Sequence, residues 1–240
     1  MMNGKQSNYC YPGTDILINN YDIQQEADLI AKERQITSIR IAELENKEPQ
    51  KDGYNFKKLC EIHHYIFFDM YAWAGKPRTI DISKGTSLFC RAAFINDAAQ
   101  DIFSRLKKDN YLQGLEKTQF IDKLADYITD VNVLHPFREG NGRTQRTFFR
   151  ELALAAGYNL DFEKTDKETA IAADLAAMNG KTDILKSMLQ KIVSESSTER
   201  EPQKHQSSRL EAIRQKGKEY AENYKHDGPS RKSIDYNNER

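Results

Sequence analysis

Two segments, EKTQFIDKLADYITDVNVLH at 116–135 and TQRTFFRELALAAGY at 144–158, each carry the apolar repeat of an amphipathic helix. The stretch HPFREGNGRTQR, residues 135–146, breaks that repeat by setting Pro136, Gly140 and Gly142 between them. Proline lacks a main-chain donor and glycine surrenders backbone entropy, so neither helix runs straight through. The chain must therefore fold as helices joined here by a short polar loop, the second helix starting near Arg143. A plain turn would need none of His135, Glu139, Arg143 and Arg146, so their presence is a question about chemistry.

Most of the remaining pattern is helical too. Phe120, Leu124, Tyr127, Ile128 and Val131 share one face of the first segment, and Gly157 closes the second. Upstream, QQEADLIAKERQITSIRIAELEN (24–46) places Ala27, Ile30, Ile36, Ile39 and Ile41 at helical spacing. A further helix is expected over 54–74 with Leu59, Ile62, Tyr65, Ile66 and Met70 inward, stopped by Gly75 and Pro77. NDAAQDIFSRLKK reads as a helix capped by Asn96, and shorter helices are expected over 167–178 and 182–194. Residues 78–95 behave differently. Ile80 and Ile82 alternate with polar partners, Lys84-Gly85 offers a turn and Leu88-Phe89-Cys90 resumes, which reads as a β-hairpin.

Three regions follow from this: an extended arm at 1–22 with a Pro-Gly turn, a core at 23–194 and a charged tail at 195–240. The tail holds ten Lys/Arg and nine Asp/Glu but only Leu210, Ile213 and Ile234 as large aliphatics. That is too little apolar surface to offset the entropy of ordering, so a mobile tail is expected, at most partly helical over 207–224.

Thirty-six basic residues balance thirty-six acidic ones, so no global basic field points to nucleic acid. The three cysteines, Cys10, Cys60 and Cys90, are too widely spaced for a disulfide framework or a metal pair, which fits a reducing cytoplasm. No apolar signal core and no run of about 18 apolar residues occurs, so no membrane association is expected. His63-His64 lacks a second ligand pair. Gly180-Lys181-Thr182 resembles the end of a P-loop, but Leu175 stands where its first glycine belongs.

The loop itself suits a polyphosphate. A Gly-Asn-Gly segment before a helix start exposes N–H groups with no side chains in the way, at the positive end of the helix dipole. Arg143 and Arg146 lie near one face of the first turn and add two guanidinium forks. Glu139 is the one acid in the loop, and a single carboxylate together with phosphates and waters is the usual way Mg²⁺ is held. His135 can accept the proton of an attacking hydroxyl.

HPFREGNGRTQR resembles at every defining position the HxFx(D/E)GNGRxxR signature of the Fic/Doc family. YPGTDILINNYDI, HHYIFFDMYAWAGKPR and ELALAAGYNLDF resemble further blocks of that family, in particular of small bacterial FicT toxins, over residues 9 to about 194. The resemblance implies a mainly α Fic fold, a helical bundle with a short hairpin flap at 78–95 whose Ile80, Asp81, Ile82 and Phe89 dock a target segment. It implies transfer of AMP from ATP to a hydroxyl of a target protein. His135 would be the base, Glu139 the Mg²⁺ ligand, and Gly140, Asn141 and Gly142 the anion hole. Arg143 and Arg146 would hold the outer phosphates, and Phe137 would anchor the loop from beneath. The resemblance also implies type II topoisomerase targets, DNA gyrase B or topoisomerase IV ParE.

Many such enzymes are silenced by a helix of pattern Ser/Thr-x-x-x-Glu-Gly/Asn. The Glu-Gly and Glu-Asn pairs here begin at Glu45, Glu139 and Glu222, and four residues before them stand Ile41, His135 and Lys218. The motif is therefore expected on a separate small antitoxin. Doc-like phosphate transfer, transfer of another nucleotidyl or phosphocholine group, and a non-catalytic scaffold binding through its tail are the rival readings.

Overall fold

The computed structural model describes residues 8–84, 87–196 and 215. Its helices are α1 (Glu26–Glu45), α2 (Phe56–Phe67), α3 (Ile95–Lys108), α4 (Lys117–Leu134), α5 (Asn141–Ala155), α6 (Lys167–Met178) and α7 (Thr182–Ile192). Two small antiparallel ribbons accompany them, β1 (Ser83–Lys84) with β2 (Ser87–Leu88) and β3 (Tyr158–Leu160) with β4 (Val193–Glu195). This is the expected mainly α bundle with a hairpin. Most of the charged tail, including all of the possible helix at 207–224 except residue 215, lies outside the described residues.

Helix α5 occupies the middle, packed against α1, α2, α4 and β3. Its Phe148, Phe149, Leu152 and Ala153 are buried, and the Phe148 ring meets Tyr54 and Phe103 edge-on. Each buried side chain of this size contributes about 1.5–3 kcal/mol relative to exposure, so the core fixes where α5 begins. Beside it, Phe120, Leu124, Tyr127, Ile128 and Val131 of α4 are all buried, and α6 and α7 pack on α4. The α4–α5 junction thus sits between two helices that cannot shift independently.

Several expectations need correction. Helix α2 starts after its Asn55 cap, whose side chain accepts from the Lys58 N–H, and ends at Phe67 rather than Ala74. Met70 and Tyr71 both return their N–H groups to Phe67 O, so the chain doubles back before WAGKP. In α1, Ala27 and Ile30 face solvent. The inward set is Leu29, Thr37, Ala42 and Leu44, because α1 is rotated to present Glu33 and Thr37 toward α5. Only Ser83–Lys84 and Ser87–Leu88 pair as a ribbon; residues 78–82 run irregularly, and Ala92–Phe94 form a 3-10 turn, which leaves Asn96 inside α3 instead of capping it. Helix α7 stops at Ile192, and Val193–Glu195 extend to pair with Tyr158–Leu160.

Candidate active site

His135 is the C-cap of α4, in the left-handed region at φ 42 and ψ 61. That conformation is costly for a residue with a Cβ and persists only where its surroundings over-determine it. Arg78 supplies the constraint. It is 2% exposed, its N–H donates to Pro136 O at 2.8 Å, and its Nε–H donates to His135 O at 2.9 Å. The rest of its guanidinium reaches Ile80 O and Cys90 O, so one buried cation ties the flap base to the histidine. On the imidazole, Nδ1 lies 3.2 Å from Asn132 O. A carbonyl only accepts, so Nδ1 carries a proton, and in the neutral imidazole Nε2 then carries the lone pair. The Phe89 ring lies on the imidazole face, with centroids 3.8 Å apart and planes 18° apart.

Below His135 the loop is clasped from inside. The Asn141 side chain accepts from Phe137 N at 2.9 Å and donates to Phe137 O at 2.8 Å, which makes it 4% exposed. Its amide is thus committed to the loop, and only its main-chain N–H is presented to an anion. Phe137 is buried and stacks on His63 at 3.9 Å, with Phe67 at 4.7 Å from that imidazole. His63 accepts from Gly75 N at Nδ1 and donates from Nε2 to Glu139 O at 3.0 Å. Burial holds its pKa down to about 4, so it stays neutral and keeps one tautomer. Gly140 completes the turn at φ +82, and a Cβ there would run into Cζ and Cε2 of Phe67. Any side chain there would have to displace the Phe67 ring and hold a strained φ.

Helix α5 then begins at Asn141, two residues earlier than the sequence suggested. The N–H groups of Asn141, Gly142 and Arg143 occupy its first turn and have no intrahelical acceptors. The Arg146 guanidinium folds back over that turn: a Cβ on Gly142 would stand 3.4 Å from its Nη1. Arg146 also lines a groove of about 390 Å³ with Arg143, Arg150, Glu45 and Asn159–Glu163. A smaller, mostly apolar cleft, lined by Arg146, Ile128, Phe149, Phe162, Asp174 and Met188, opens beside it. Arg143 borders the larger groove as well, but its guanidinium is held by protein partners. Its Nη2 pairs with Glu33 at 2.5 Å and lies 3.5 Å from Glu139, its Nη1 donates to Thr37 at 3.2 Å, and it sits over the Phe67 ring. Tyr71 donates to the other Glu33 oxygen, and burial together with that carboxylate pushes its phenol pKa well up. Glu139 is half exposed and its Oε1 accepts from Gly140 N at 2.8 Å.

Residues 54–153 match the Fic/DOC family. The chain is 37% identical over 187 residues to the probable protein adenylyltransferase Fic of Escherichia coli, spanning 78% of this chain and 92% of that protein. The chain belongs to the Fic/DOC family. It is also 32% identical to the protein adenylyltransferase VbhT of Bartonella schoenbuchensis, over 80% of this chain but only 40% of VbhT. Among solved structures, the N-terminal Fic domain of a Bartonella quintana effector with bound ADP superposes with a TM-score of 0.73. It is 26% identical and covers 80% of this chain and 96% of that one. BepC from Bartonella tribocorum with bound AMPPNP gives 0.72 at 25% identity, covering 78% and 97%.

Within this Fic fold the signature brings His135, Glu139, Gly140, Gly142 and Arg146 to one end of α5. The four flap residues divide. Ile80 is half-buried against the core and lends its carbonyl to Arg78, Asp81 accepts from Ala92 N at 2.7 Å, and Ile82 is half-buried. Phe89 turns inward onto His135. Sequence reasoning missed Arg78, His63 and Glu33 as site residues. Arg78 and His63 lie inside the WAGKPR and HHYIFF blocks that resemble the family, but Glu33 gave no local signal. Among the described residues there is no cluster of three or more His, Cys, Asp or Glu able to hold a metal, and no helix long and apolar enough to cross a membrane.

Proposed function

We propose that this Fic chain is a protein adenylyltransferase that moves AMP from ATP to a hydroxyl side chain of another protein. The observation that carries the reading is the convergence at one helix start of an anion nest, the Arg146 guanidinium and an imidazole with its lone pair on Nε2. His135 Nε2 accepts the hydroxyl proton as the target oxygen bonds to the α-phosphorus. The bond from that phosphorus to the bridging oxygen breaks, and pyrophosphate leaves. The first-turn N–H groups and Arg146 hold the phosphates, while Arg143 steadies the loop and Glu139 from the α1 side. Such displacements depend mainly on positioning and charge neutralisation.

Mg²⁺ fits this donor set only in company with the nucleotide, since Glu139 is the single carboxylate of the loop. When bound, it would supply positive charge across the phosphates. The same reading places the chain in the cytoplasm as a toxin acting on type II topoisomerase subunits, DNA gyrase B or ParE, through a target strand added at the flap. A separate small antitoxin would lay a helix in the 390 Å³ groove and offer a glutamate to Arg146. His135→Ala should abolish labelling of lysate proteins from α-³²P-ATP while keeping the wild-type melting curve. Label retained by that variant would refute the base, and label arriving only from γ-³²P-ATP would make the reaction phosphate transfer instead.

A further inference from the structure

We propose that Phe89 is a positioning residue for His135, fixing the plane in which Nε2 meets the incoming hydroxyl; this rests on His135 being the proton acceptor. Two contacts from the described residues act on the imidazole in different ways. The Nδ1–H donates to Asn132 O at 3.2 Å, a long hydrogen bond that by itself lets the ring rock about the donor. The Phe89 ring lies face to face with it at 3.8 Å and 18°. Such a stack resists tilting, while the hydrogen bond resists rotation within the plane, so the two contacts restrain different motions of the ring.

Phe89 itself is held well enough to act as a stop. Cys90, the next residue, donates its N–H to Val133 O at 2.9 Å and accepts from the buried Arg78 guanidinium at its carbonyl. Two residues further, Ala92 N is fixed by Asp81. The ring is therefore carried by a segment tied to the last turn of α4, the same turn that carries His135. A lid would have to cover the reacting nitrogen. A flat stack covers only the π face, and the Nε2 lone pair lies in the ring plane, at an edge that the stack leaves clear. The family resemblance implied that Phe89 docks the target; its placement assigns the ring to the base instead.

The full-length wild type, Phe89→Ala, Phe89→Leu and Phe89→Tyr separate the possibilities. AMP transfer from α-³²P-ATP to lysate protein gives kcat and the KM for ATP, and ¹⁵N–¹H spectra of the histidine rings report tautomer and ring-current shift. Phe89→Ala should lower kcat roughly 10–100-fold, as expected for a misoriented reacting group. The KM for ATP should hold within about two-fold. The His135 ring protons should lose their upfield displacement in the alanine and leucine variants, and Phe89→Tyr should restore both rate and spectrum. Full-rate transfer by Phe89→Ala would overturn the proposal, and so would a rate loss with an unchanged His135 spectrum, which would make Phe89 a target contact. A wild type that transfers no AMP would remove the proposed reaction, and with it any part for Phe89 in orienting a base.

Discussion

Glu33→Gln isolates what α1 contributes to the site. The Glu33 side chain is 13% exposed and that of Arg143 24%, so water screens their 2.5 Å contact poorly. Glutamine keeps the shape but loses the charge, and its amide must face either Arg143 or Tyr71 with a donor where an acceptor stood. Hydrogen bonds to charged partners contribute ~1.5–3 kcal/mol. With partial exposure the expected loss is ~2 kcal/mol. For a chain of this size that lowers the melting temperature by about 4–8 °C, readable by calorimetry. The decisive step is a double-mutant cycle. Arg143→Met breaks the same pair from the other side, so the double variant should be at least ~1 kcal/mol more stable than the sum of the single losses implies. Strict additivity, or a Glu33→Gln protein melting within about 1 °C of wild type, would show that α1 does not hold the arginine.

Gly140→Ala should cost ~2–4 kcal/mol, strain at φ +82 adding to overpacking against Phe67. Gly13→Ala is the control, since its φ of +76 is similar and nothing lies within 4 Å; equal losses in urea melts would deny the Phe67 contact. His63 has its pKa lowered from 6.5 to about 4, so between those values the unfolded chain binds the extra proton and stability falls as pH drops. The wild type should therefore lose more melting temperature than His63→Gln between pH 7 and pH 4.5, and parallel losses would contradict the assignment. Arg146→Ala should leave the melting curve in place but remove the thermal shift given by Mg-ATP, whereas a shift preserved in full would take Arg146 out of the phosphate site.

The chemistry of the loop was legible because its residues are close in sequence, so spacing alone puts them at one helix start. What holds them was not. Arg143 meets Glu33 across 110 positions, His63 meets Glu139 across 76, and Arg78 meets His135 across 57. Glu33 has no neighbour in sequence that marks it, and the rotation of α1 that exposes Ile30 turns it inward. The early end of α2 was hidden for a related reason. Phe67, Met70 and Tyr71 keep an apolar helical rhythm, yet their carbonyls and N–H groups close a turn that brings Gly75 back to His63. Val193 likewise continues the apolar face of α7, and its pairing with Leu160 depends on a strand more than thirty residues away.

These distant contacts end on the same few atoms. Arg78 grips the carbonyl of His135, His63 grips that of Glu139, and Glu33 grips the side chain of Arg143, so each fixes the loop from the side facing the core. Arg146 is placed differently, folded over Gly142 at the mouth of two cavities. The two signature arginines, equivalent by spacing, therefore meet different surroundings, although both border the larger groove. Arg143 contributes to the stability of the loop before any nucleotide arrives. Arg146 stands beside Asp174 in the smaller cleft, and in the proposed reaction its guanidinium would meet a phosphate. In the proposed reaction, a fold that committed both to short ion pairs would leave less positive charge free to meet a polyphosphate.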